Sequence, residues 1–255
     1  MTTTTRENLV VKLLKSIETK DPEGFAVISS EQYIQHNLFV ADGRKGFVAF
    51  VQSLPDGFAK VDTRRVFEDG DYVVAHSEID IGGARAVFDI FRFDGDRIVE
   101  HWDAAQALTP PNPSGRSLLD GQQTLADPGV SLDQCKAVAK GFVENVLMVG
   151  DLSNAGDYVG DTYLQHHPLV RDGLDGLREA FSQWQTEGIE VRYEKIHHVL
   201  GKGDMVLVVT EGCFNGASVA YYDMFRIDQG KIAEHWDVVE EIPARESWAN
   251  NNGKF

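Results

Sequence analysis

The stretch Glu100-His101-Trp102-Asp103 decides the fold, because it returns further along the chain as Glu234-His235-Trp236-Asp237. Three more signatures return in the same order: Tyr33-Ile34-Gln35-His36 as Tyr163-Leu164-Gln165-His166, Asp42-Gly43 and Gly46 as Asp172-Gly173 and Gly176, and Asp89-Ile90-Phe91-Arg92 as Asp223-Met224-Phe225-Arg226. The first two signatures along the chain are repeated 130 residues later and the last two 134 residues later. The copies therefore differ by one small loop insertion of four residues between the second and the third signature. Repeats of solenoid proteins run at about 20 to 50 residues. The longer period predicts two tandem copies of one domain, here called copy one and copy two.

Each copy is predicted to begin with helices and to end with strands. In copy one the apolar spacing predicts helices over 6–19, near 23–28 and over 44–54, a short strand over 33–36, and extended segments near 61–67, 72–81, 84–93 and 97–107. Copy two repeats this order from about Ser131. Helices followed by a run of antiparallel strands predict an α+β class, in which the helices pack on one face of a strongly curved sheet.

A segment rich in Pro and Gly divides the chain. We predict a first domain over 1–109, a linker over 110–130 that runs along the surface, a second domain over 131–245, and an extended, partly ordered tail over 246–255. The linker contains Pro110, Pro111, Pro113, Gly115, Gly121, Pro128 and Gly129, too many breakers for a helix or a central strand.

The charge balance limits the possible partners. A formal net charge of −16 repels phosphate backbones and anionic lipids, so neither nucleic acid nor a membrane is expected as a partner. A small ligand that is fairly apolar or cationic suits this charge better. The threonine-rich start, Met1 to Glu7, lacks the pattern of a secretory signal, and we expect a cytoplasmic protein. Cys135 and Cys213 show neither metal-like spacing nor a disulfide framework.

Polar residues that could carry chemistry lie on the last hairpin of each copy. We expect three-residue loops at Asp94-Gly95-Asp96 and Asp228-Gln229-Gly230. The resulting register places Asp89 opposite His101 and Val87 opposite Asp103 in copy one. In copy two it places Asp223 opposite His235 and Tyr221 opposite Asp237. If this face is buried, each copy has two carboxylates and one imidazole for general acid–base work. Alternatively, the groups hydrogen-bond one another on a solvated face. Trp102 and Trp236 are expected on the opposite side, as packing residues.

On these motifs the chain resembles the SnoaL-like polyketide cyclases of the nuclear transport factor 2-like superfamily, in particular the branch of predicted aldol-condensation enzymes. The resemblance implies two cone-shaped α+β barrels, each with a ligand in its open end. Such cones commonly pair through their sheets, so the chain is expected to be a monomer with an internal pseudo-dimer, or a homodimer.

The resemblance also implies roles for particular residues. In these cyclases an aspartate on the final strand is the general acid–base, and Asp103 and Asp237 match its place. A polar residue on the preceding strand matches Asp89 and Asp223. A further polar residue after the first strand matches Asn37 and His167, with His36 and His166 beside them. The related ketosteroid isomerases have an aspartate base at the place of Asn37, so steroid isomerisation is not expected of copy one.

These residues lead to a main hypothesis and two alternatives. The main one is a cofactor-independent enzyme that acts next to a carbonyl, as an aldol-type cyclase or isomerase, on a small hydrophobic substrate. Its catalytic candidates are Asp103, Asp237, His101, His235, Asp89 and Asp223. Its substrate-binding candidates are Asn37, His36, His166, His167, Val87, Tyr221, Phe91 and Phe225. One alternative is a non-catalytic small-molecule-binding or interaction module. The weaker one is a metal held by His36, Asp89 and His101; our expectation is no metal and no cofactor.

Overall fold

Copy one has the predicted order of helices and strands. The computed structural model describes residues 4–255, so the first three residues of the threonine-rich start lie outside the described part. The elements are α1 (Thr5–Thr19), α2 (Pro22–Phe25), β1 (Ile34–Gln35), α3 (Gly43–Ser53), β2 (Ala59–Asp69), β3 (Tyr72–Ile81), β4 (Ala84–Asp94) and β5 (Arg97–Ala107).

Copy two, in which the first strand and the helix after it are longer, repeats this order of elements. They are α4 (Leu132–Phe142), continued by a π-helical turn (Val143–Leu147), a 3-10 helix (Leu152–Asp157), β6 (Val159–Gln165), α5 (Gly173–Glu187), β7 (Val191–Lys202), β8 (Met205–Phe214), β9 (Ala217–Asp228) and β10 (Lys231–Glu241). The first helix of each copy begins with a capping box, from Thr4 to Glu7 in copy one and from Ser131 to Gln134 in copy two.

Each copy forms one five-stranded mixed sheet. The strand orders are β1-β5-β4-β3-β2 and β6-β10-β9-β8-β7. The short first strand pairs in parallel with the last strand of its copy, and the remaining pairs are antiparallel. The helices pack on one face and enclose the apolar core. The predicted class, two tandem cone-shaped α+β units, is confirmed.

The repeated Asp-Gly-x-x-Gly signature has a physical cause. Gly173 has φ of +84°, where a side chain would be strained, and it begins α5. A Cβ on Gly176 would lie only 2.1 Å from the carbonyl oxygen of Arg171. Gly43 and Gly46 meet the same conditions in copy one. The signature therefore shapes the loop that leads from the first strand into the following helix.

The chain divides into two compact units, and one of them is made of two segments that are far apart in the sequence. One unit contains Leu108–Ile242, so the linker packs with copy two. The other unit contains copy one up to Ala107 together with the C-terminal segment Pro243–Phe255. Most residues of the linker and of the C-terminal segment are partly or fully exposed. The buried ones are Asn112, Leu118, Leu119 and Pro128 in the linker, and Asn250 and Lys254 in the C-terminal segment.

Among residues 4–255, no helix combines the length and the apolar composition that crossing a membrane requires.

Candidate functional site

The last hairpin of copy one has a different register from the predicted one. Its turn contains two residues, and a β-bulge at Val99 adds one residue to β5. As a result Asp89 lies directly opposite Asp103, and Phe91 lies opposite His101. The predicted pairings of Asp89 with His101 and of Val87 with Asp103 were therefore wrong by two residues. A shift of two residues leaves every side chain on its predicted face.

Copy two repeats this correction. Its hairpin also turns over two residues, and Ala233 is the bulged residue of β10. Asp223 consequently lies opposite Asp237, whereas the prediction placed His235 there. Tyr221 lies opposite Val239 and not opposite Asp237. In both copies the two aspartates are direct cross-strand neighbours, with Cβ atoms about 5 Å apart in such a pair.

A buried hydrogen-bond network holds the imidazole of copy one. Nε2 of His101 lies 3.0 Å from Oδ1 of Asp89, and its Nδ1 lies 2.8 Å from Oε1 of Gln35. The amide of Gln35 in turn donates to the hydroxyl of Tyr33 at 3.3 Å. All four side chains are buried, so the alternative of a solvated polar face does not apply.

Copy two builds the same network with one more member. Nε2 of His235 lies 2.9 Å from Oδ1 of Asp223, and its Nδ1 lies 3.0 Å from the amide nitrogen of Gln165. Gln165 also donates to the hydroxyl of Tyr163 at 3.0 Å. The hydroxyl of Tyr193 lies 3.4 Å from the same oxygen of Asp223. Both ring nitrogens of His235 are thus occupied by neighbouring side chains.

In each pair we call Asp89 or Asp223 the inner aspartate and Asp103 or Asp237 the outer aspartate. Burial perturbs the pKa of the inner aspartate. It raises the pKa of Asp89 above the ordinary value, and the charge of Asp103 acts in the same direction while His101 opposes it. Burial likewise raises the pKa of Asp223, again against the opposing effect of its histidine. A buried carboxyl group beside a second carboxylate favours its protonated form. Asp89 and Asp223 can therefore hold a proton at a higher pH than an exposed aspartate can.

The outer aspartates differ in their partners. In copy one, Nδ2 of Asn37 donates to Oδ2 of Asp103, and Nζ of Lys254 lies 3.5 Å from its Oδ1. In copy two, Nε2 of His167 lies 3.7 Å from Oδ2 of Asp237, too far for a direct hydrogen bond. Within residues 4–255, Oδ1 of Asp237 has no hydrogen-bond partner although it is buried.

Copy two encloses a narrow aromatic cavity at Asp237. The cavity has a volume of about 40 Å³, enough for a few water molecules. The lining residues are Phe142, Leu147, Tyr163, Gln165, His167, Val170, Leu177, Phe181, Trp184, Val191, Tyr193, Phe214, Tyr221, His235, Asp237 and Val239. Polar groups are therefore few in a mostly apolar lining, as in small-molecule sites.

His36 and His166, two of the predicted substrate-binding residues, do not face these networks. Nε2 of His36 lies 3.1 Å from Glu100, and its ring stacks on Trp102 with centroids 4.9 Å apart. His166 makes the equivalent contacts, with Glu234 at 2.9 Å and with a stacked tryptophan. Because neighbouring strand residues point to opposite faces, the preceding glutamine of each copy points to the imidazole instead. The tryptophans lie on the predicted side.

The remaining substrate-binding candidates lie in different places. His167 and Tyr221 line the cavity of copy two, and Tyr221 also stacks on Tyr193 with centroids 4.0 Å apart. Phe225 stacks on His235 at 4.7 Å, inside the core and not among the residues that line the cavity. Two candidates in copy one are also buried: Phe91, which stacks on His101 at 4.6 Å, and Val87.

The residues that could hold a metal differ from the predicted set. Ligand atoms of Asp89, His101 and Asp103 lie within 4.8 Å of one another, a spacing that a cation could bridge. His36 is not part of this group, because it lies on the other face. The ammonium of Lys254 already supplies a positive charge beside Asp103.

Sequence reasoning missed several members of the site. Gln35 and Gln165 were visible as repeated residues of the Tyr-x-Gln-His signature, but only the histidines were selected. Tyr193 and Trp184 carried no repeated signal. Lys254 lies in a segment that resembles a disordered end, so nothing in the sequence indicated its contact with Asp103.

Comparisons with known proteins agree with the duplicated fold. A family model described as a SnoaL-like domain matches residues 10–101, and one described as a SnoaL-like polyketide cyclase matches residues 137–246. No curated protein matches the sequence. The identities to solved structures are low, as three examples show.

An NTF2-like protein of unknown function from Cytophaga hutchinsonii is 15% identical, with 41% of this chain and 93% of that chain covered and a TM-score of 0.35. TsrD from Streptomyces laurentii is 18% identical, with 42% and 92% covered and a TM-score of 0.35. An LEH-like epoxide hydrolase from M. tuberculosis is 18% identical, with 40% and 82% covered and a TM-score of 0.34. The two family matches cover most of both copies and confirm the resemblance. The chain belongs to the SnoaL-like family, of which it carries two domains in tandem.

Proposed function

We propose that copy two catalyses cofactor-independent proton transfer next to the carbonyl of a small hydrophobic substrate, in an aldol-type closure or an isomerisation. One observation carries the proposal. Asp237 is buried at an aromatic cavity, its Oδ1 has no hydrogen-bond partner within residues 4–255, and a histidine faces its other oxygen. A carboxylate in this setting can accept a proton from a carbon acid that enters the cavity.

His167 supplies the proton donor. The backbone N–H of Leu169 donates to Nδ1 of His167 at 3.1 Å, so a neutral ring carries its proton on Nε2, the atom that faces Asp237. A carbonyl oxygen placed beside Nε2 would receive this hydrogen bond as negative charge develops on it. His235, the other histidine at the cavity, has both ring nitrogens bonded to Gln165 and Asp223.

The buried network supports the base. Because burial raises its pKa, Asp223 can keep a proton at a higher pH than an exposed aspartate can. A protonated Asp223 places no second carboxylate charge beside Asp237. His235 and Tyr193 hold Asp223 in place. These contacts engage Asp223 and leave Oδ1 of Asp237 without a hydrogen-bond partner among residues 4–255.

The base is tested by Asp237→Asn, with turnover of an activated 1,3-dicarbonyl compound as the assay. General-base catalysis contributes about 10²- to 10⁴-fold, so kcat should fall by about that factor. Asp161→Asn, at an exposed position of β6, is the matched control and should retain full turnover. Asp103→Asn and the double variant Asp103→Asn with Asp237→Asn show which copy is responsible. Unchanged kcat in the double variant would rule out the proposal.

The second candidate is a binding module without chemistry. The cavity favours it to the extent that most of its lining is apolar, which suffices to hold a hydrophobic ligand. This candidate predicts that hydrophobic ketones raise the melting temperature of the wild type and of Asp237→Asn equally, with no turnover by either.

A further inference from the structure

The two copies differ in the charge beside their outer aspartates. In copy one, Nζ of Lys254 lies 3.5 Å from Oδ1 of Asp103, and both side chains are buried. In copy two, Nε2 of His167 lies 3.7 Å from Oδ2 of Asp237, and the buried Oδ1 has no hydrogen-bond partner in the described chain, residues 4–255. An ionised carboxylate is costly to bury without a counter-charge. Within those residues Asp237 therefore lacks the cation that Asp103 has.

The segments that cover the two copies explain this difference. Nδ1 of His36 lies 2.9 Å from the carbonyl oxygen of Gly253, and Lys254 is the next residue. In copy two the equivalent histidine has its Nδ1 2.7 Å from the carbonyl oxygen of Ser117, and the next residue is Leu118. Matching contacts thus lead to an ammonium in copy one and to an aliphatic side chain in copy two.

The surroundings of Asp237 suit a cation that comes from outside the chain. Asp237 lines the aromatic cavity together with Trp184, Phe181 and Phe214, among other rings. The centroids of the two phenylalanine rings lie 5.3 and 6.2 Å from that of Trp184. Of the side chains in residues 4–255, no lysine or arginine lines this cavity. Aromatic rings attract cations to their faces, and tryptophan does so most strongly.

The tyrosine hydroxyls of the cavity are engaged with other groups of the protein. The hydroxyl of Tyr221 donates to the carbonyl oxygen of Cys213 at 2.7 Å, and that of Tyr193 lies 3.4 Å from Oδ1 of Asp223. Oδ1 of Asp237 is therefore the acceptor that is open to a donor on a bound ligand.

We propose that the cavity of copy two binds a small organic ammonium ion, which takes beside Asp237 the place that the ammonium of Lys254 takes beside Asp103. An N–H of the ion donates to Oδ1 of Asp237, and its alkyl groups contact the aromatic rings, Trp184 above all. The bound cation favours the ionised form of the aspartate.

The size of the cavity limits the ion. A volume of about 40 Å³ holds a few water molecules, and the ion is correspondingly limited to about three or four non-hydrogen atoms. The inference goes beyond the proposed carbonyl chemistry, because an ammonium ion in this cavity would exclude a carbonyl substrate from Asp237.

The test compares isopropylammonium with propan-2-ol, two ligands of equal heavy-atom number and similar shape that differ in charge. ¹H–¹⁵N NMR follows the indole N–H of Trp184 while each ligand is added at neutral pH and constant ionic strength. We expect saturable shifts and a Kd for isopropylammonium that is about 10- to 100-fold lower, because the alcohol cannot form a hydrogen bond between two charged groups.

Variants locate the charge that is responsible. Asp237→Asn should remove the preference for the ammonium ion and leave binding of propan-2-ol unchanged. Leu118→Lys, which gives copy two the residue type of copy one, should also remove the preference, because its own ammonium would neutralise the aspartate. Asp161→Asn, at an exposed position of β6, is the matched control for the loss of one negative charge and should bind as the wild type does.

Each outcome decides the proposal. A preference for the ammonium ion that is lost in Asp237→Asn and kept in Asp161→Asn supports it. Equal Kd values for the two ligands, no saturable shift in the wild type, a preference that survives in Asp237→Asn, or equal loss in Asp161→Asn overturns it. If Asp237→Asn does not fold, Leu118→Lys is judged by the same criterion. Because the readout is binding, absence of turnover in the earlier Asp237 experiment would leave this test intact.

Discussion

Replacing Asn112 by alanine should destabilise copy two and loosen the loop that carries His167. Nδ2 of Asn112 donates to the carbonyl oxygens of Gln165 and Val170 at 2.7 and 2.9 Å. Its Oδ1 accepts from the backbone N–H groups of Ser114 and Arg116 at 2.9 and 3.0 Å. These four hydrogen bonds have no substitute in alanine, and each contributes about 1 kcal/mol net. We expect a loss of about 4 kcal/mol in the free energy of unfolding of this unit.

Urea unfolding followed by tryptophan fluorescence measures the loss, and hydrogen exchange of the amides of residues 165–170 locates it. The control is Asn154→Ala, since Asn154 is exposed on the 3-10 helix of copy two. If Asn112→Ala destabilises by less than about 1 kcal/mol, or if exchange in 165–170 is not accelerated, the linker does not hold the loop as the hydrogen bonds imply.

Three further changes test the buried groups and the loop geometry. Burial raises the pKa of Asp223, so the wild type loses stability as the pH rises from 3.8 through the raised pKa. Over that range Asp223→Asn should become more stable relative to the wild type, by about 1.4 kcal/mol for each pH unit between 3.8 and the folded-state pKa. Urea unfolding at several pH values measures this gain. Gly176→Ala should lower the melting temperature by several degrees, because its Cβ would meet the carbonyl oxygen of Arg171 at 2.1 Å. A hydrogen bond from Lys15 lowers the pKa of Glu18 to about 2, so stability above pH 4.5 is lost as the pH falls towards 2, and Glu18→Gln should flatten this part of the pH–stability curve.

Matched controls and contrary results are available for each change. Asp161→Asn should give no pH-dependent gain, and an equal gain in both variants would show that burial of Asp223 is not the cause. Gly156→Ala should be tolerated, because the nearest atom to its Cβ lies 4.0 Å away; equal destabilisation in the two alanine variants would contradict the steric argument. An acid-stability curve of Glu18→Gln identical to that of the wild type would contradict the third expectation.

The duplication and the element order could be predicted from the sequence because they depend on spacing. Repeated signatures and apolar periodicity survive as one-dimensional patterns, and the predicted helix over 6–19 corresponds to α1 at Thr5–Thr19. The pairing of the last two strands depends on a bulge. Val99 looks like any other strand residue, so the extra residue that it adds to β5 was invisible, and the predicted partners of Asp89 and His101 were wrong for that reason.

The candidate site was only partly predictable, for a related reason. At the end of a short strand, one position decides which face a side chain occupies; His36 was chosen as a candidate, whereas the neighbouring Gln35 faces the imidazole of His101. The alternation of side chains along the last strand placed Asp103 and Asp237 on the buried face, because a register shift of two residues does not change the face. Lys254 illustrates the remaining difficulty, because its contact with Asp103 joins segments that no local pattern relates.

The exchange of segments has a consequence for biosynthesis. Copy one leaves the ribosome before copy two, yet residues 243–255, which hydrogen-bond to its loop at residues 35–42, are translated after the whole of copy two. Domains generally fold in the order of their synthesis. In a nascent copy one this loop therefore lacks its contacts with the C-terminal segment until translation has passed residue 254. Only then can Lys254 approach Asp103.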